Sequence, residues 1–240
     1  MTVITKKSNI RVLLGACLKA YQSDGLDSCI SKLNQLILSQ RVKFPLLEFC
    51  AVEFYSNIPR HDHISFCDQI QHLKTEGGNV IIGKLLQQNL KNDSKQSFEK
   101  ATEYIADADI WYVCDIIGER VFGYSLLHQP EITIPVVQKL SNHPSNWVIR
   151  SLGAGIHYSI KKGLDKQNVN TLFQLLLSMA NTKDKEIRQG IGWAAKTTAR
   201  FHPEIIDQFE TEIHNTEKVA NWFRTKISIG LNRNNYAQRD

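Results

Sequence analysis

Apolar residues recur at spacings of three and four along nearly the whole chain, and this pattern predicts amphipathic helices. No run of alternating polar and apolar residues is long enough to predict a strand. We therefore expect an all-α protein of about a dozen helices joined by short links. Glu76-Gly77-Gly78 is predicted to be a turn between helices. The clearest helical segments of the first half are 10–18, 26–37, 44–58, 64–73, 80–90 and 97–106, followed by 108–127.

The second half of the chain repeats itself at a period in the high thirties. Tyr112–Gly118 aligns with Trp147–Gly153 at an offset of 35. Ile149-Arg150 aligns with Ile187-Arg188 at an offset of 38. Paired helices at such a period are typical of HEAT-like or armadillo-like α-solenoids, in which each unit packs on its neighbours. The sequence therefore predicts an α-solenoid (superhelix).

A second pair of matching segments supports this register. The two offsets together predict a separation of 73, and the tripeptide Pro-Glu-Ile begins at both Pro130 and Pro203. Proline at an early helical position indicates that each tripeptide starts the second helix of its unit. Equivalent positions of stacked units line one face, so Asp115, Arg150 and Arg188 are expected to project in the same direction.

Positive charge is concentrated in the second part of the chain. Residues 1–142 carry 15 basic and 15 acidic side chains, whereas residues 143–240 carry 14 basic and 9 acidic ones. The whole net charge of +5 therefore lies after residue 142. A basic excess confined to one part of a chain favours a polyanionic partner.

The five cysteines and the triplet His61-Asp62-His63 do not predict a disulfide framework or a metal site. The cysteine count is odd, no Cys-x-x-Cys pair occurs, and most neighbours are apolar, so we expect reduced, buried thiols. No stretch approaches the ~18–20 apolar residues of a membrane span, and the N-terminus lacks the pattern of a signal peptide. The composition predicts a soluble, cytoplasmic protein with no membrane partner.

An indole and a carboxylate are paired in the segment Ile110–Gly118. Trp111 and Asp115 are four residues apart, a spacing that places them on one helix face. Two interpretations stay open from these residues alone. Trp111 is a packing residue beside a surface acid, or the pair belongs to a site.

Three segments together resemble the AlkD-like DNA alkylation repair family, the HEAT-like repeat DNA glycosylases. They are Trp111-x-x-x-Asp115, Asn146–Arg150 and Ile191–Lys196, within residues 97–210. The resemblance implies a single HEAT-like repeat domain over residues 1–240. Its best-matched repeats, with the catalytic cleft, are expected over 97–240, and N-terminal helices over 1–96. Three features depart from the family pattern, namely Lys196 in place of an arginine, Glu186-Ile187 in place of an aromatic pair, and Cys114 before the aspartate.

The resemblance implies a monofunctional glycosylase that hydrolyses the N-glycosidic bond of N7-methylguanine and N3-methyladenine in duplex DNA during base excision repair. It implies no metal and no cofactor, and we expect a monomer whose partner is double-stranded DNA with alkylated bases. The implied catalytic residues are Asp115, Trp111, Trp193 and Arg150. The predicted DNA-binding residues are Arg150, Lys185, Arg188, Lys196 and Arg200.

The residue types fit this chemistry on physical grounds. Purines alkylated at N7 or N3 are cationic and leave readily, so a carboxylate such as Asp115 need only stabilise positive charge on the sugar and place a water. Indole faces attract cations by roughly 0.5–2 kcal/mol. The alternatives are core packing for Trp193 and a surface ion pair for Arg150. Trp147 is predicted to be a core residue and Trp222 to pack the last helix.

A second class of function stays open. The same chain fits a non-catalytic HEAT-like module that binds damaged or branched DNA, or another protein. The set Trp111, Asp115 and Trp193 favours the enzyme, because a scaffold does not require it.

Overall fold

The computed structural model describes residues 3–237, and the chain divides into two compact units, Met1–Tyr104 and Ile105–Asp240. Within the described residues, the only strands are two-residue segments, β1 (Val3–Ile4) and β2 (Arg41–Val42), which pair in parallel. The prediction of an all-α fold of helical repeats is confirmed, and the sequence missed this one short strand pair. The extent of a single repeat domain stays a prediction.

The first unit consists of short and medium helices. A π-helical turn (Asn34–Leu38) extends the second helix, and a 3-10 turn (Arg60–Asp62) precedes the fourth. The helices are α1 (Lys7–Asp24), α2 (Leu26–Leu33), α3 (Phe44–Asn57), α4 (His63–His72), α5 (Glu76–Asn89) and α6 (Ser94–Ala108), the last of which ends beyond this unit.

The predicted turn at Glu76-Gly77-Gly78 is wrong, because α5 begins at Glu76. Thr75 caps the helix, and its Oγ1 accepts a hydrogen bond from the Gly78 amide at 3.1 Å. A Cβ at Gly78 would lie 2.8 Å from the Ile70 side chain, so glycine allows α5 to start directly against α4. The glycines mark a close approach rather than a reversal of the chain.

The second unit contains the repeats predicted from the sequence. Helix α7 begins at Trp111, and both Pro-Glu-Ile segments start helices as predicted. Its helices are α7 (Trp111–Gly118), continued by a π-helical turn (Glu119–Gly123) into α8 (Tyr124–His128), then α9 (Pro130–Leu140), α10 (Asn146–Lys161), α11 (Lys166–Ser178), α12 (Lys185–Phe201), α13 (Pro203–Gln208), α14 (Glu210–His214) and α15 (Asn221–Ala237).

Helices α7, α10, α12 and α15 pack against one another in succession. Between α10 and α12 the backbones approach so closely that a Cβ at Gly153 would lie 2.1 Å from the carbonyl carbon of Gly190. No side chain fits there, so the two glycines fix the spacing of these helices. The close approach brings the N-terminal turns of α10 and α12 within reach of each other's side chains.

Hydrogen bonds within the second unit reproduce the predicted period. Trp147 donates from Nε1 to the Asp109 carboxylate, and Asn146 donates to Asp184 at 2.8 Å, in both cases across 38 residues. Lateral bonds between adjacent repeats are expected when one unit stacks on the next. The repeat inferred from short matches therefore corresponds to physical stacking.

The cysteines behave as predicted. All five are buried free thiols. In the part of the chain that the structure describes, no group of three or more His, Cys, Asp or Glu side chains is arranged to hold a metal ion. Nor does any described helix combine the length and the apolar character that crossing a membrane requires.

Candidate functional site

A cavity of about 650 Å³ opens in the second unit where side chains of α7, α10, α12 and α15 converge. A volume of this size is typical of small-molecule or nucleotide sites. Three indoles, two carboxylates and four basic side chains surround it. Its lining is Trp111, Asp115, Trp147, Arg150, Lys185, Glu186, Gln189, Gly190, Trp193, Lys196 and Lys226.

Trp111 stands at the start of α7 and is 57% exposed, so it is a wall of the cavity rather than a core residue. The backbone turns sharply before it, since Asp109 has a φ of 50° and Ile110 is extended. The Asp109 carboxylate accepts a hydrogen bond from the indole of Trp147. This bond ties the start of α7 to the start of α10.

Asp115 and Arg150 form a two-pronged ion pair. The Arg150 Nε donates to Asp115 Oδ1 at 3.1 Å, and Nη2 donates to Oδ2 at 2.9 Å. A third donor, Nη1, bonds to Oε2 of Glu186 at 2.6 Å. Arg150 is 8% exposed, and its guanidinium carbon lies 5.9 Å from the ring centroids of both Trp111 and Trp147. Arg150 is therefore held between two carboxylates and two indoles.

Burial alone would lower the pKa of Arg150, but the hydrogen bonds to Asp115 and Glu186 and the charge of Asp115 outweigh it and raise that pKa. Arg150 is thus a permanent cation that organises two acids. Beside it, burial raises the pKa of the Cys114 thiol to about 12, and its Sγ donates to the Ile110 carbonyl. Cys114 is a neutral packing residue and no nucleophile.

Trp193 is half-buried and rests on His157. The two rings stack with centroids 4.0 Å apart at 27°. Thr197 donates to the Trp193 carbonyl at 3.0 Å and accepts from His157 Nδ1 at 2.6 Å. Burial, followed by the charges of Lys161 and Lys196, lowers the pKa of His157 to about 3. A neutral imidazole therefore supports the inner face of this indole.

Basic side chains gather on the side of the cavity formed by α12 and α15. Burial, then the charges of Arg233 and Lys226, lowers the pKa of Lys196. Within the described residues, no carboxylate forms an ion pair with Lys196 or Lys226. A Cβ at Gly192 would lie 3.1 Å from the Lys226 stem, so this glycine lets the lysine lie along α12. Unpaired cations that repel each other are suited to an anion such as phosphate.

With the geometry known, comparison with protein families gives a decisive result. The family model described as DNA alkylation repair enzyme matches residues 42–224. The chain belongs to this family. Comparison with curated proteins and with solved structures gives no match. Membership of the DNA alkylation repair family supports an enzyme with a role in DNA alkylation repair and with DNA as its partner.

The fold brings six of the residues predicted for this DNA alkylation repair enzyme into one cavity. They are Trp111, Asp115, Arg150, Lys185, Trp193 and Lys196. The ion pair considered for Arg150 exists, but it lies inside the cavity and joins two acids. The roles of these residues stay predictions, and the structure shows that they are neighbours.

Two predicted DNA-binding residues do not line the cavity. Arg188 is exposed and lies over the Trp222 ring at 5.3 Å, and Arg200 is exposed beside Phe201. The expectation that Arg188 projects with Asp115 and Arg150 is wrong, because Glu186 occupies that place. Glu186 lies two positions before Arg188 in α12, and two residues along a helix rotate a side chain by about 200°.

The sequence also misplaced Trp147 and missed several residues. Trp147 was predicted to be a core residue, but it is half-buried and lines the cavity. The sequence marks Glu186 only as a departure from an aromatic pair, and it assigns neither His157 nor Lys226 to the site. The offset of 35 aligns Trp147 with Tyr112, so the sequence carried no signal for the hydrogen bond to Asp109 that holds Trp147 at the cavity.

Proposed function

We propose that this protein is a monofunctional DNA glycosylase that hydrolyses the N-glycosidic bond of cationic alkylated purines, chiefly N7-methylguanine and N3-methyladenine, in duplex DNA. The observation that supports this proposal most strongly is the convergence of Trp111, Asp115 and Trp193 on one cavity beside Arg150. A cavity walled by indoles and containing carboxylates suits a positively charged, planar ligand.

The reaction needs little from the protein. An alkylated purine already carries the positive charge that makes it a leaving group, and its departure transfers positive charge to the sugar. The carboxylate of Asp115 stabilises that charge and accepts a proton from the water that attacks the sugar carbon. The products are the free base and an abasic site, and the strand stays intact.

The neighbouring residues have distinct parts in this proposal. Trp111 and Trp193 bind the cationic group through their ring faces. Arg150 holds Asp115 in position through two bonds, at 3.1 and 2.9 Å, so it acts mainly on the carboxylate. Lys196 and Lys226 bind phosphate groups that flank the lesion, and such contacts set position without reading sequence.

One observation favours a second candidate, a non-catalytic module that binds damaged or branched DNA. Both oxygens of Asp115 accept hydrogen bonds from Arg150, so the carboxylate is already engaged within the protein. Such a pair would serve as a structural clamp between repeats as well as a reactive group. The two candidates differ in whether base is released.

The test is release of free base from a duplex that contains N7-methylguanine, with the unmodified duplex as control. The proposal expects free N7-methylguanine and an abasic strand that breaks only after alkali treatment. Tight, strongly salt-dependent binding to the damaged duplex without release would support the DNA-binding module. Binding that does not depend on salt would instead favour a protein partner.

A further inference from the structure

Glu186 is the second carboxylate of the cavity, and the first turn of α12 holds it in place. Asp184 caps this helix, since its Oδ1 accepts from the amides of Glu186 and Ile187 at 2.9 Å each. The Glu186 side chain then reaches across to Arg150 Nη1 at 2.6 Å. The acid is therefore fixed by its own helix and directed at a residue of α10.

The charges of the cluster formed by Asp115, Arg150 and Glu186 do not cancel. Arg150 is a single cation that bonds to two anions, Asp115 and Glu186. No lysine forms an ion pair with either acid in the part of the chain that the structure describes, although Lys185 lines the same cavity. Without Glu186, the Asp115–Arg150 pair would be neutral. With it, the cluster carries one net negative charge.

A ligand in the cavity can come close to this net charge. The side chains of Asp115 and Glu186 are 17% and 24% exposed, whereas that of Arg150 is 9% exposed. The acids thus face the cavity while the cation is withdrawn between the indoles of Trp111 and Trp147. Partial exclusion of water strengthens electrostatic interactions at such a place.

We propose that Glu186 is a specificity-determining residue: it gives the cluster of Asp115, Arg150 and Glu186 the net negative charge by which this cluster selects a cationic group over a neutral one. In the proposed glycosylase reaction, on which this inference rests, that group is the sugar as it gains positive charge, or the cationic base. Arg150 alone would cancel Asp115, and Glu186 restores the charge that Arg150 removes.

A purely structural role for Glu186 predicts a different result when the side chain is replaced by an uncharged one. If Glu186 only orients Arg150, an uncharged acceptor of the same shape serves equally well. Glu186→Gln keeps an oxygen that accepts from Nη1 and removes the charge, whereas Glu186→Ala removes both. Glu131→Gln, at an exposed position of α9, is the control for losing one negative charge elsewhere in the same unit.

The experiment compares binding to two duplexes that no glycosylase can cleave. One carries a pyrrolidine analogue of the abasic sugar, whose ring nitrogen is protonated, and the other carries the neutral tetrahydrofuran analogue of the same shape. The measured quantity is the ratio of the two dissociation constants at fixed salt, with circular dichroism as a check of folding. Because both ligands are uncleavable, the result does not depend on activity.

We expect the wild type and Glu131→Gln to prefer the cationic duplex and Glu186→Gln to lose about tenfold of that preference, with unchanged or tighter binding of the neutral duplex. If Glu186→Gln keeps the full preference for the cationic duplex, the inference is overturned, whether or not Glu186→Ala loses that preference. Absence of any preference in the wild type would overturn it as well. Base release from the N7-methylguanine duplex decides the proposed function separately.

Discussion

Arg150 donates two parallel hydrogen bonds to Asp115, from Nε to Oδ1 at 3.1 Å and from Nη2 to Oδ2 at 2.9 Å. The bonds join residues 35 positions apart, on helices α7 and α10 of adjacent repeats. A guanidinium fork matches a carboxylate in this way and an ammonium group does not. The pair therefore links the stacking of repeats directly to the geometry of the site.

Arg150→Lys should lower the free energy of unfolding by about 2 kcal/mol, because a lysine cannot satisfy both Asp115 and Glu186 and leaves a partly buried acid uncompensated. Urea unfolding measures the effect. Arg188→Lys, at an exposed position of α12, is the matched control and should change stability by less than about 0.5 kcal/mol. Equal stability of the two variants would contradict the clamp described for Arg150.

Gly153→Ala should destabilise the protein by about 3 kcal/mol, because its Cβ would meet the Gly190 backbone at 2.1 Å and force α10 from α12. Thermal or urea unfolding gives the magnitude. Gly15→Ala provides the contrast, since a Cβ on that α1 glycine meets nothing within 4 Å. It should stabilise by about 0.5–1 kcal/mol through helix propensity. A tolerated Gly153→Ala would show that the helices can separate without cost.

His157 should make stability depend on pH. Its pKa in the folded protein is lowered to about 3, mainly by burial, from an ordinary value near 6.5. The unfolded chain therefore binds a proton that the folded protein does not. Stability is complete above pH 6.5 and falls by up to about 1.4 kcal/mol per pH unit as the pH drops towards 3.

The measurement is urea unfolding at several pH values between 7 and 4 for the wild type and His157→Gln. The variant should lose less stability on acidification than the wild type. His61→Gln is the control for replacing a histidine, because that side chain is 81% exposed. An unchanged slope in His157→Gln would mean that this imidazole is protonated in the folded protein.

Lys226→Gln should weaken binding to all duplexes to a similar extent and lower the slope of log affinity against log salt by about 1. Fluorescence anisotropy over a range of salt concentrations gives that slope. Lys166→Gln is the control, because Lys166 does not line the cavity and pairs with Glu204 at the surface at 3.3 Å. If Lys226→Gln leaves the salt slope unchanged, Lys226 does not bind a phosphate group of the duplex.

Periodicity was enough to predict the helical fold, because the apolar spacing and the Pro-Glu-Ile segments at Pro130 and Pro203 report local geometry. The pairing of Trp111 and Asp115 followed from helical spacing for the same reason. The place of Glu186 did not, because the side chain of α12 that reaches Arg150 is decided by how α10 and α12 pack. The close approach at Gly153 likewise depends on how two helices pack, which no local pattern encodes.

The position of Trp147 likewise could not be predicted from local sequence patterns. Trp147 was assigned to the core by its alignment with Tyr112, yet its indole reaches Asp109 and lines the cavity. The hydrogen-bond partner of this indole, Asp109, lies in the loop before α7, and its positive φ is not revealed by sequence patterns.

In the proposed reaction, hydrolysis of the glycosidic bond depends on Asp115. The most direct measurement is the single-turnover rate of free N7-methylguanine release from a duplex, for the wild type and for Asp115→Asn, with duplex affinity determined in parallel. We predict that Asp115→Asn lowers the rate by at least about 100-fold while affinity changes only a few-fold. Release at equal rates by both proteins would contradict it.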